Sequence, residues 1–223
     1  MFEPRIQAVL ERLYAETLAE DPAVRQAAQD AGLHNDSQSG FYAAMRDARL
    51  PVVPEFGALL YLLARSARAK HIVEFGTSFG ISTLFLAAAI RDNGGGRVIT
   101  TEFLPEKARR AQTNLEAAGL ADWVEIRVGD ALDTLRTKLD GAIDLLFLDA
   151  SKGLYLDILQ MIEPRLRPGA LIVSDRADLD GDPTQRDGDY LAYVRNPDNG
   201  YRSSSLSTEA LGRTFAHELA VRC

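Results

Sequence analysis

Apolar positions in the first seventy residues recur at helical spacing. Ile6, Val9, Leu10, Leu13, Tyr14 and Leu18 predict a helix over Phe2 to Glu20. Asp21-Pro22 predicts the start of a second helix, with proline at its first position. Gly32 and the run HNDSQSG break that helix, and a short helix is expected over 41–49. Leu50-Pro51-Val52-Val53-Pro54 reads as a bent, extended linker, and Glu55 to Ala69 as a strong helix. After residue 70 the pattern changes to apolar strands alternating with amphipathic helices. Strands are expected at 71–75, 97–102, 123–128, 143–149 and 170–175, and helices at 81–91, 105–118, 131–138 and 153–166. That alternation predicts a mainly parallel sheet covered on both faces. The tail YRSSSLST, a turn at ALGR and TFAHELAV read as a final antiparallel hairpin. Residues 176–189 form a polar loop just past a strand's carboxyl end, where open α/β sheets bind ligands.

Composition narrows the picture little. A length of 223 residues favours one domain with one good core. The net charge of −7 disfavours a nucleic-acid backbone as partner, since phosphate binding needs a basic surface. Cys223 is the single cysteine, which removes any internal disulfide or cysteine-based zinc site. His34, His71 and His217 lie far apart; His71 and His217 read as structural or surface residues, and His34 as a residue of a loop that could cover a ligand. No apolar run is long enough to span a membrane, and the start MFEPRIQAVLERL is charged and amphipathic rather than signal-like. A cytoplasmic protein without membrane or nucleic-acid partners is expected.

The chemistry concentrates after the first strand. In HIVEFGTSFGIST a strand ends in Glu74, a glycine turn follows, and an apolar helix begins. The spacing E-x-G-x-x-x-G differs from the dinucleotide fingerprint, because Ser78 stands where the pyrophosphate needs a second glycine. A cofactor without pyrophosphate fits better, and S-adenosylmethionine is the commonest. Acids recur at the other strand ends: Glu102, Asp130, Asp149 and Asp175. In a parallel sheet these ends share one edge. Glu102 is placed to accept both ribose hydroxyls of a nucleoside. Asp130 lies either at an adenine edge or as the cap of the helix from Ala131. Gly76 and Gly80 let a cofactor approach the backbone, and Thr77 belongs to the same turn.

IVEFGTSFGIST, VITTEF, VGDAL, LLFLDASKGLY and LRPGALIVSD, in this order and spacing, resemble the class I S-adenosylmethionine-dependent O-methyltransferases. The nearest branch is the catechol and caffeoyl-coenzyme A type, and the likeness covers roughly residues 50–220. The resemblance implies an α/β, Rossmann-like methyltransferase fold: a seven-stranded, mostly parallel sheet with an antiparallel last strand, plus N-terminal helices. It implies cofactor contacts at Glu74, Gly76, Ser78, Ser82, Glu102, Phe103, Ala131 and Asp149, with the linker at Val52 and Val53 near the methyl donor. It implies a catalytic lysine at Lys152. It also implies a divalent cation, magnesium, held by Asp149, Asp175 and a following asparagine; this chain has Arg176 instead. A guanidinium about 4 Å from a dication repels it by roughly 8 kcal/mol at an effective dielectric of about 20. The expectation is therefore that Arg176 occupies the metal's place; if it points outward, a water could complete the shell.

The function expected is methyl transfer to a hydroxyl of a small, phenolic or catechol-like acceptor. An amine or carboxylate acceptor, and a cofactor-binding domain with decayed chemistry, are the alternatives. Residues 1–50 are expected to form a helical cap over the acceptor or a partner subunit, in a homodimer, and residues 51–223 the cofactor domain.

Overall fold

The computed structural model describes residues 2–33, 43–175, 187–210 and 213–223. The expectations for Arg176, His34 and most of the 176–189 loop concern residues outside these.

Helix α1 runs unbroken over Pro4–Asp30 with Pro22 inside it, so the expected restart at Asp21-Pro22 does not occur. Pro22 removes one helical hydrogen bond, but packing on both sides carries the helix through. Ile6, Val9, Leu10 and Leu13 sit in the main core before it, and Ala28 packs with Met45 and Ala48 after it. The helix expected over 41–49 includes a single 3₁₀ turn at Met45–Asp47. Helix α2, Pro54–Ser66, starts at a proline, which has no N–H to lose at that position.

Strands and helices then alternate: β1 His71–Phe75, α3 Ile81–Asp92, β2 Arg97–Glu102, α4 Pro105–Ala118, β3 Val124–Val128, α5 Ala131–Thr134, β4 Ile143–Leu148, α6 Tyr155–Ile162, β5 Leu166–Asp175 and α7 Asp187–Arg195. The hairpin β6 Tyr201–Ala210 and β7 Arg213–Arg222 closes the fold. Three boundaries differ from expectation for local reasons. Helix α5 stops at Thr134 rather than 138, because the Arg127 guanidinium takes the carbonyls of Thr134 and Lys138. Helix α6 ends at Ile162, where Pro164 forces a 3₁₀ turn. Strand β5 begins at Leu166, four residues early, by pairing Leu166 with Ile143 across a register shift.

The seven-stranded sheet has the order β3-β2-β1-β4-β5-β7-β6. Strands β1 to β5 pair in parallel, and β7 is antiparallel to both β5 and β6. Strand β1 is central, with connections leaving to opposite sides, so a crevice opens at the carboxyl ends of β1 and β4. One core packs α1, α2 and α3 on the sheet, and the other packs α5, α6 and α7 on its opposite face. Helix α3 is buried from Ile81 to Ile90, consistent with a sequence that is apolar there except for Ser82 and Thr83.

Candidate active site

The crevice holds a cavity of about 320 Å³. Its walls come from the 49–52 strap, the turn after β1, and the ends of β2 to β5. Gly76, Thr77, Ser78, Ser82, Glu102, Phe103, Asp130, Ala131, Asp149, Lys152 and Asp175 all line it. The alternation of strand and helix therefore brings the expected set to one edge.

Gly76 has φ 108°, and a Cβ there would lie 2.2 Å from the Asp149 carbonyl oxygen. Only glycine lets the ends of β1 and β4 meet this closely. The Asp149 N–H donates to the Phe75 carbonyl at 2.9 Å, closing the same contact. Thr77 donates its N–H and its hydroxyl to the Thr101 carbonyl, each at 2.9 Å, which ties the turn to β2. Ser78 has a left-handed φ of 48°, a conformation that costs about 1–3 kcal/mol outside glycine. Its neighbours hold it there. The Ser78 N–H donates to Glu102 Oε2 at 2.8 Å, and its hydroxyl donates to the Arg49 carbonyl at 2.7 Å.

Two expected cofactor residues lie off the cavity wall. Glu74 is fully buried beneath the turn. It accepts the hydroxyls of Ser82 at 2.6 Å and Thr83 at 2.5 Å, so its work is to pin the first turn of α3 to β1. Burial raises its pKa to about 7 against the opposing hydroxyl donors of Ser82, Thr100 and Thr83. Gly80, the N-cap of α3 at φ 85°, abuts Ala111 instead of the cavity.

Glu102 accepts the N–H of Leu104 at 2.9 Å in addition to that of Ser78. Burial pushes its carboxyl above the usual range, opposed by the Leu104 N–H and the charge of Lys107. Asp130 caps α5, taking the Leu132 N–H at 2.8 Å, and lines the cavity as well.

On the other side, Lys152 sits in a 3₁₀ turn before α6 and is buried. Its Nζ donates to the Asp175 carbonyl at 3.1 Å, and Tyr155 Oη donates to the same carbonyl at 3.1 Å. The Asp175 carboxylate meets His217, read from sequence as structural or surface. His217 is buried, with Nδ1 2.7 Å from Asp175 Oδ1, a separation fit for an ion pair though not aligned as a hydrogen bond. Its Nε2 is 2.8 Å from Thr208 Oγ1, and its ring stacks on Phe56 at 3.6 Å. The β5–β7 register places His217 directly opposite Asp175. Nothing in a single sequence fixes that register.

The metal site implied by resemblance needs Asp149, Asp175 and position 176, and the last of these lies outside the described residues. Among the described residues, no three His, Cys, Asp or Glu side chains group as a metal site. Asp175 Oδ1 faces His217.

Sequence reasoning also missed Arg25, Arg49 and Lys107 on the cavity wall. Lys107 carried a signal: with Ala108, Ala111, Asn114 and Leu115 it falls on the buried face of α4 at helical spacing. Asp21 carried none. Its buried carboxylate accepts the N–H of Arg49 at 2.9 Å and of Leu50 at 3.0 Å, fastening the strap to α1. Tyr14 Oη donates to the Val52 carbonyl at 3.0 Å, a second fastening.

Residues 73–176 match the family model described as a methyltransferase domain. The chain is 38% identical over 156 residues to a catechol O-methyltransferase of Niastella koreensis, covering 67% of this chain and 70% of that protein. It is 42% identical over 127 residues to a catechol O-methyltransferase of Mycobacterium tuberculosis, covering 57% of each. Among solved structures, cofactor-bound Rv0187 from MTB superposes with a TM-score of 0.71 at 33% identity, over 81% of this chain and 87% of that one. An O-methyltransferase from Bacillus cereus in complex with SAH superposes with a TM-score of 0.70 at 29% identity, over 93% and 91%. With the glycine turn, the acids at the strand ends and the sheet order already in place, these likenesses identify the chain as a member of the S-adenosylmethionine-dependent O-methyltransferase family.

Proposed function

We propose that the chain methylates a hydroxyl of a small phenolic or catechol-like acceptor in the β4–β5 half of the cavity. The observation that carries this reading is the buried Lys152 Nζ at the cavity wall, 3.1 Å from the Asp175 carbonyl oxygen, in a wall that Asp149 and Asp175 also line. The names of the Niastella and Mycobacterium relatives support the acceptor class.

In this reading Gly76, Thr77, Ser78 and Ser82 carry the amino-acid tail of the methyl donor. Glu102 receives the ribose hydroxyls, Asp130 meets the adenine edge, and Phe103 and Ala131 flank the base. Glu74 and Gly80 support the turn from beneath. Bound S-adenosylmethionine supplies a methyl group on a cationic sulfur. Lys152, as the amine, takes the proton of the acceptor hydroxyl while the oxygen forms its bond to the methyl carbon. The carbon–sulfur bond breaks, and its electron pair stays on sulfur. Asp149 and Asp175 orient the acceptor, so positioning supplies much of the rate. Arg176 is assigned, on sequence alone, the positive charge that stabilises the developing oxyanion. Residues 1–50 are assigned the covering of the acceptor or of a partner subunit, in a homodimer. No described helix is long and apolar enough to cross a membrane, and a cytoplasmic location is part of the proposal.

A panel of phenols, catechols, amines and carboxylates, assayed with methyl-labelled donor, tests the acceptor. Label on a phenolic oxygen, unchanged by a chelator, is the expected result. Transfer only to nitrogen or carboxylate would refute the acceptor class. Activity lost on chelation and restored by magnesium would refute the role of Arg176.

A further inference from the structure

The cofactor side of the cavity contains a buried cation to which the proposed roles give no work. Lys107, on α4, is 4% exposed and still lines the cavity. Among the described residues its hydrogen-bond partner is Ser78 Oγ, at 3.2 Å. An ammonium has three donors, so this is thin compensation for burying a charge.

The charges around Lys107 sort themselves into pairs. Burial lowers the Lys107 pKa; Glu102 from β2, Asp21 from α1 and Asp47 from the 3₁₀ turn oppose that shift and favour the charged form, while Arg110 on its own helix adds to it. Asp21 faces Arg49 at 3.5 Å, and Asp47 faces Arg110 at 3.0 Å. Arg49 and Arg110 flank the Phe79 ring at 5.2 Å and 5.1 Å, with Lys107 at 5.8 Å on the same ring. Glu102 is the acid left over. Its oxygens take the backbone N–H groups of Ser78 and Leu104, and Lys107 is the cation that acts on it. Ser78 joins the two, giving its N–H to Glu102 and accepting Lys107 Nζ on its hydroxyl.

We propose that Lys107 is a positioning residue for the methyl donor: it supplies the counter-charge to Glu102 and, through Ser78, fixes the cradle turn against β2. The inference rests on the reading that Glu102 receives the ribose hydroxyls. A carboxylate accepts two such hydroxyls well, whereas a protonated carboxyl gives up part of that capacity. Burial alone drives Glu102 toward the protonated form, and the ammonium opposes it. Without the ammonium, Glu102 takes up its proton at higher pH. Donor affinity should then fail first on the acid side.

The test is calorimetric titration of S-adenosylhomocysteine into the full chain from pH 5.5 to 8.5. Parent, Lys107→Met, Lys107→Gln, Lys107→Arg and Glu102→Gln are compared. Two neutral replacements of different shape are used so that misfolding of one does not decide the result. Both neutral variants should bind about tenfold more weakly near the acid end and recover toward the alkaline end. Lys107→Arg should follow the parent. A loss equal at every pH would reduce Lys107 to packing and overturn the inference, as would parental affinity in both neutral variants. Parental affinity in Glu102→Gln would overturn the ribose assignment and the inference with it. A parent that does not bind the compound would overturn the cofactor assignment itself, a result distinct from the others.

Discussion

On the β1–β2 side of the cleft, each turn of the cradle is tied to its neighbours. Glu74 holds Ser82 and Thr83, Thr77 holds Thr101, and Ser78 bridges Glu102 and Arg49. On the β4–β5 side, Lys152 and Tyr155 converge on the single carbonyl of Asp175, and His217 approaches its carboxylate from behind. The first half fixes a shape. The second fixes the position of one nitrogen. A donor that is always the same molecule suits a site prepared in advance, since ordering is then complete before binding. An acceptor oxygen needs only to be brought to the methyl carbon and relieved of its proton.

Substitutions on either side sharpen or break that contrast. The largest effect belongs to Lys152→Met. Turnover should fall by about a hundredfold to ten-thousandfold, while the dissociation constant for S-adenosylhomocysteine changes by no more than about twofold. Steady-state kinetics with parallel calorimetry separates the two, and a matching loss of donor affinity would merge the halves. Next comes Glu102→Ala. Losing charge-assisted hydrogen bonds should weaken donor binding by about tenfold to a hundredfold, with the acceptor KM nearly unchanged. An acceptor KM that rises in step would contradict the division.

The smallest effect on activity belongs to Glu74→Gln, whose consequence is in stability. The folded-state pKa of Glu74, about 7, lies above its ordinary value of 4.5. The folded chain therefore holds this proton more tightly than the unfolded chain, and stability falls as pH rises through that window. The full cost above neutral pH is about 3 kcal/mol. Denaturant unfolding of parent and variant at several pH values measures it. The parent's stability relative to Glu74→Gln should decline from acid to neutral pH; a difference that grows instead would show that the three hydroxyls hold the carboxylate as an anion.

The strand–helix alternation after residue 70 was readable because strands such as β1 and β4 are short apolar runs and helices such as α4 and α6 have a buried stripe. The glycine turn was readable from the spacing E-x-G-x-x-x-G after an apolar strand, although the close approach that requires Gly76 is to the Asp149 carbonyl of β4's end, which the sequence did not show. Other features depend on long-range contacts. Pro22 ends a helix by local rules, but the packing of Ala28 against Met45 and Ala48 overrides them. Arg127 shortens α5 from a neighbouring strand. His217 gains its partner from a strand register, and Asp21 gains its work from a strap that folds back on it. Glu74 occupies a strand end, as expected, but its side chain turns toward α3 rather than the cavity, a choice set by Ser82 and Thr83.

The meeting of Gly76 with Asp149 also bears on when the cleft comes into being. Strand β4 can reach β1 only after the intervening β2 and β3 crossovers are laid down or set aside. Even the shorter ties, such as Ser78 to Glu102 across 24 positions, require a full crossover. Contacts of this kind form late, since loop closure must precede any gain from them. The donor thus has no finished cradle to grip in a half-folded chain. It acts as a brake on unfolding rather than a guide to folding, and prolongs the life of the native state without hastening its arrival.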